Sequence, residues 1–299
     1  MQLDRTTIVI RERGLLDILD LSLFVLRRYF VPLAVLFALA IVPLMLVNHL
    51  LVGWLIGPDA TAGMFARYLW LMLLLVVIEA PLVSVFATSY LGQAVFLERP
   101  SLRSVLGDVC RVSPRLLVTQ GLLRGIVPAA LLTLVIDRYS NVNVTVEIFL
   151  IPLIALYAIG LRAFRPYLNE IVLLERHPLR SADRTVPSIA RRSSQLHGFS
   201  AGLLLARWMG TVPLAVLLFF SLWGALRFLP GALLNDWSYG PLGGPLLRPI
   251  VYPLAMWLVA AYLSIVRFLS YLDLRIRDEG WEVELLLRAE AGNLLQKPT

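Results

Sequence analysis

The sequence is short of the groups that catalytic and metal sites are built from. It has one cysteine, Cys110, which excludes an internal disulfide framework and any cysteine-based zinc site. Its three histidines, His49, His177 and His197, are scattered, and none has a neighbour at metal-ligand spacing. No Gly-x-x-x-x-Gly-Lys phosphate loop occurs. Charge is scarce too, at 16% of residues, against about 25% in soluble domains. These absences point away from an enzyme and imply neither a metal nor a cofactor.

What the chain has instead is apolar length. Of 299 residues, 59% are hydrophobic and the mean hydropathy is +0.77, a balance that identifies lipid as the solvent. Six runs are long enough to cross a hydrocarbon core of about 30 Å as helices. They cover residues 30–52, 68–96, 116–136, 144–161, 199–228 and 246–271. The lead-in to the first run is itself amphipathic, and one Ala-x-Ala triplet, Ala38 to Ala40, lies inside the run. Retention as a span is therefore expected in place of signal cleavage.

Orientation follows from the basic residues. Of the 27 lysines and arginines, 20 fall in segments 1–29, 97–115, 162–198 and 272–299, and 4 in the alternate connections. The positive-inside rule then puts both ends in the cytoplasm. The net charge of +7 is spread along the span flanks and forms no basic domain, so the expected partners are membrane lipids with anionic headgroups, not nucleic acid.

Between the spans lie amphipathic segments. From Glu98 to Arg115, Leu102, Val105, Leu106, Val109 and Val112 recur at helical steps, with Arg103, Asp108, Arg111 and Arg115 mostly between them. Residues 14–29 behave likewise, with Leu16, Leu19, Leu23 and Leu26 opposed by Asp17, Asp20, Arg27 and Arg28. Residues 178–196 and 273–291 are two more. Two placements stay open for them: flat at the headgroup boundary, or packed together as a cytoplasmic cap.

An internal repeat emerges at the exits of the even-numbered spans. Tyr90-Leu-Gly92, Tyr167-Leu-Asn169 and Tyr271-Leu-Asp273 each precede a glutamate eight places after the tyrosine, namely Glu98, Glu175 and Glu279. Pro43, Pro128 and Pro213 in the odd spans are each preceded by valine. The expected unit is a helical hairpin plus an interfacial helix, present three times as residues 1–97, 98–175 and 176–292 of one membrane domain, with a short tail at 293–299. The fold class is thus an all-α, polytopic helix bundle of about six spans, kinked by its prolines.

Charges fall inside spans, Arg267 among them. Glu79, Arg124 and Arg207 would each cost about 3 kcal/mol at mid-membrane on the lenient insertion scale. Glu79 is expected to pair with Arg124 or Arg207. Two readings remain: a polar site for a lipid headgroup or anionic solute where repeats meet, or a pair that fixes helix register.

With those residues in hand, the chain resembles the membrane-domain family named after glycerophosphoryl diester phosphodiesterase. The C-terminal Tyr271-Leu-Asp-Leu-Arg-Ile-Arg-Asp-Glu-Gly280, which contains Arg275 and Arg277, is similar to that family's closing signature. Residues 14–20 before Arg27-Arg28-Tyr29 are similar to its opening, and Leu174-Glu175 with Ala190-Arg-Arg-Ser193 to its central segment. The resemblance implies the membrane part alone, set in a bacterial cytoplasmic (inner) membrane. The catalytic barrel that can accompany it does not fit here, and its His-Arg-Gly opening is absent. The expected role is a non-catalytic scaffold or accessory subunit of an envelope or lipid-related complex, with a protein partner in the membrane. The alternative is a transporter or lipid-handling permease using Glu79, Arg124 and Arg207.

Overall fold

The computed structural model describes residues 13–57, 61–95, 100–122, 165–179, 187–198, 200–234 and 248–279, with isolated helical residues 149, 152–153, 156–157, 159–160 and 163. All regular elements among them are helical. Helix α1 is Leu15–Arg28, α2 is Phe30–Val52, α3 is Ala62–Ala94 and α4 is Leu102–Leu116. A short α5, Leu168–Glu170, passes into a π-helical turn, Ile171–Glu175. Then come α6, Ile189–Gly198, α7, Ala201–Leu234, and α8, Arg248–Glu279.

Four helices among the described residues are long and apolar enough to cross a membrane: Phe30–Ile56, Ala62–Ala94, Ala201–Leu229 and Pro249–Arg277. They match the first, second, fifth and sixth expected spans. Most of 116–136 and 144–161, including Arg124 and Pro128, lies outside the described residues.

Side-chain contacts fix the directions of these helices. Tyr252 Oη donates to the Leu69 carbonyl at 3.1 Å, and further along Arg267 of α8 reaches Ser84 of α3, so α3 and α8 run parallel. Helix α7 runs against α8, because Arg207 meets Asp273 while Phe219 packs on Tyr252 at 5.7 Å. Helix α2 runs against α3, pairing Tyr29 with Tyr90 at 5.8 Å and Asn48 with Glu79 at 2.8 Å. The core is the seam among α2, α3 and α8, filled by Leu33, Leu71, Leu75, Trp257 and Phe268. Helix α7 is peripheral, with no buried residue in its most apolar stretch.

Local chemistry explains the ends and bends. Thr61 Oγ1 accepts the Met64 N–H at 3.3 Å and caps α3. Pro43, Pro81 and Pro253 sit inside α2, α3 and α8, where each removes one helical hydrogen bond and favours a bend.

The amphipathic segments come out unequally. In α4, Val105 and Val112 of the expected stripe are buried, against α3 and against Val85, Val172 and Leu173. Protein therefore covers Val105 and Val112. In α1 protein covers part of the expected stripe, with Leu19 and Leu26 packed against the core. Leu16 and Leu23 are exposed, and Ile18, Ser22 and Val25 are buried. Contact with α8 selects the side that carries a hydrogen-bonding serine. Ser22 Oγ bonds Tyr262 Oη at 2.8 Å, and the Arg13 N–H bonds Asp273 Oδ1 at 2.6 Å. Helix α1 thus lies antiparallel along α8. Residues 273–279 begin no separate surface helix, since α8 continues unbroken through Glu279.

Candidate functional site

Many of the buried polar side chains of the described residues gather in three clusters where α3 and α8 end, with a fourth group halfway along α3. All are held by helices that the apolar seam has already aligned.

The first cluster ties α7 to α1 and α8. Arg207 donates to Asp273 and to the Ser270 carbonyl at 3.2 Å. Asp273, 2% exposed, also takes Arg277 at 2.9 Å and the Arg13 N–H, while Arg277 donates back to the Arg13 carbonyl at 3.0 Å. One buried carboxylate therefore receives donors from three chain segments. The expected pairing of Glu79 with Arg207 is corrected: the partner of Arg207 is Asp273, four residues before Arg277 on the same helix face.

The second cluster centres on Glu170. Its Oε1 accepts Arg267 Nε at 2.9 Å and Thr88 Oγ1 at 3.4 Å. Arg267 also donates to Ser84. Asn169 Nδ2 donates to the Pro81 carbonyl at 2.7 Å and to Ser84 Oγ at 2.8 Å, and Asn169 Oδ1 accepts Gln120. Sequence reasoning missed Glu170, Ser84, Thr88, Asn169 as a hub, and Gln120. The available signal was Arg267, a third arginine inside a span, together with an acid directly after the Tyr167-Leu-Asn169 motif.

The third cluster is bidentate. Arg192 reaches both oxygens of Glu175, at 2.6 and 3.1 Å. Tyr271 Oη donates to Oε1 at 2.7 Å, and His177 Nε2 lies 3.1 Å from Oε2. Burial pushes the Glu175 carboxyl up, but the Arg192 and Tyr271 hydrogen bonds and the charges of Arg192 and Arg275 outweigh it and hold the group below its ordinary range. Arg275 sits over the Tyr271 ring at 6.0 Å. Arg176, at φ 54°, takes the left-handed conformation that ends the π turn. Its carbonyl then accepts Arg115 at 3.1 Å.

The motif tyrosines are packing residues. Tyr90, Tyr167 and Tyr271 are all buried; Tyr167 stacks on His197 at 5.7 Å and lies 5.8 Å from Tyr271. The third motif positions meet three different neighbours. A Cβ on Gly92 would come within 2.4 Å of Leu174, Asn169 meets α3, and Asp273 meets α7. Glu79 is halfway along α3, 5% exposed, and accepts Asn48 Nδ2. Arg124 and Glu98 lie outside the described residues, as does the side chain of Glu279.

The arrangement can neutralise charge and bind helices together. Each of the three buried acids at the helix ends, Glu170, Glu175 and Asp273, faces an arginine of this chain. No family model, curated protein or solved structure matches the chain.

Proposed function

We infer that the chain is a non-catalytic, multi-pass membrane protein that acts as a scaffold or accessory subunit in an envelope or lipid-related membrane complex. The observation that carries this reading is the self-neutralised interior. Arg207, Arg267 and Arg192 each bond a buried carboxylate from another segment. Such pairs hold helices in register and commit those arginines to carboxylates of this chain.

The same geometry supports six spans with both ends cytoplasmic. With α3 and α8 parallel and α7 reversed, the chain between α3 and α7 must cross the membrane an even number of times. The third and fourth expected spans supply two crossings. The threefold repeat is supported by the buried motif tyrosines and by a recurring contact: Gln120 meets Asn169 as Arg207 meets Asp273, each motif residue held by a side chain from an earlier helix. The membrane-domain resemblance accords with a chain whose polar groups are structural.

A partner fits the outer side of α7, where Met209, Val216 and Phe220 are exposed at helical spacing. The test is purification of the tagged protein from native membranes in mild detergent, with mass spectrometry of what is retained. A stoichiometric protein kept by the wild type and lost by Met209→Ala/Val216→Ala/Phe220→Ala supports the scaffold. Retention unaffected by those changes counts against this face, and absence of any protein partner counts against the reading itself. A permease remains the second reading because of Glu79, the one buried acid described here that faces no arginine.

A further inference from the structure

Glu79 poses a problem that the ion-paired clusters do not. Its carboxyl is buried halfway along α3, and its hydrogen-bond partner is the neutral amide of Asn48 on α2. Asn48 is 0% exposed, and its Oδ1 has no partner. An ionised carboxylate here would present two acceptor oxygens to an amide that already has a bare acceptor of its own. Both deficits have one remedy. A proton on Glu79 turns an oxygen into a donor, and that O–H can close onto Asn48 Oδ1 while Asn48 Nδ2 donates back to Oε2.

We propose that Glu79 and Asn48 form an intramembrane proton-binding site, in which the protonated Glu79 carboxyl and the Asn48 amide close a two-hydrogen-bond ring across the α2–α3 seam. The ligand class is the proton, and the site goes beyond the scaffold reading because it needs no partner. Releasing the proton would set a carboxylate oxygen against the Asn48 carbonyl and push α2 from α3. Both helices have bending points close by: Pro43 lies five residues before Asn48, and Pro81 lies two after Glu79. Proton occupancy therefore sets whether the seam is closed at its two kinks.

Among the described residues, no other charge on the packed elements replaces the proton. On α2, His49 is exposed and turned toward Gly53. On α8, Tyr252 is bonded to the Leu69 carbonyl, Tyr262 to Ser22 and Leu19, and Arg267 to Glu170 and Ser84. Helix α4 and residues 168–175 meet α3 nearer its end, where Asp108 takes Gln93 and Glu170 takes Thr88.

Infrared spectroscopy of the purified protein at neutral pH tests the site. Glu79→Gln is expected to remove a protonated carboxylic-acid carbonyl band and leave carboxylate absorption unchanged. Loss of carboxylate absorption instead overturns the proposal. The Gln amide can close the same ring, so its unfolding midpoint should equal that of the wild type. A lower midpoint would mean that an ionised Glu79 serves a cation such as Arg124, and would also overturn the proposal. Carbon-13 glutamate labelling of the wild type gives a reading without any variant: a glutamate acid band at neutral pH is expected, and its absence refutes the site. Partner retention is read separately, so failure here leaves the scaffold test intact.

Discussion

Replacing Asp273 by asparagine removes the single negative charge on which Arg207, Arg277 and the Arg13 main chain converge. Asp273 is 2% and Arg207 8% exposed, so solvent cannot take over the lost interaction. Breaking a buried pair by removing one partner costs about 3–5 kcal/mol, because the other charge is stranded. Asp273→Asn belongs in that range. Arg207→Leu should cost less, about 1–3 kcal/mol, since Asp273 keeps Arg277 and the Arg13 N–H. The double variant Arg207→Leu/Asp273→Leu strands only Arg277, which is partly exposed and can reach water. It should therefore be destabilised by at least about 1 kcal/mol less than the sum of Arg207→Leu and Asp273→Leu. Unfolding by SDS titration in mixed micelles, followed by helical circular dichroism, measures all four proteins. Additivity to within about 0.5 kcal/mol would show that the pair does not couple α7 to α8, and would refute the reasoning.

Three further outcomes are expected. Gly92→Val should cost about 1–3 kcal/mol by overpacking, because its Cβ meets Leu174; adding Leu174→Ala should recover most of that loss in the same titration. Because the Glu175 carboxyl is held below its ordinary range, the stability it contributes is present above the usual carboxylate value and is lost as pH falls through the depressed one. Thermal melts from pH 6 down to pH 3 should show that decline in the wild type, and a smaller one in Glu175→Gln. Cys110 is exposed and is the only cysteine, so a membrane-impermeant maleimide should label it in inverted vesicles and not in intact cells. Labelling in intact cells would reverse the proposed orientation.

The four described spans were legible in the sequence because burying an apolar run in lipid needs only length and composition. The α4 stripe was legible because one apolar side, containing Val105 and Val112, had one polar opposite. In helix α1 the side that faces protein was less legible, because it depends on Tyr262, some 240 residues away. Pairing was the least legible level. Glu79 and Arg207 are both intramembrane charges of opposite sign, but pairing depends on helix register, and register set Arg207 against Asp273, outside the span as read from hydropathy. The Glu170 cluster was hidden for the same reason: its members come from α3, the π turn Leu117–Leu122 after α4, α5 and α8, and no local pattern links them.

Native mass spectrometry of the protein released directly from its own membranes tests the central reading most directly. A scaffold with a self-neutralised interior predicts a complex whose mass equals this chain plus a stoichiometric protein partner, with no small solute inside. The chain emerging alone, carrying one enriched lipid or one polar solute that is lost on Glu79→Gln, would contradict it and establish the permease in its place.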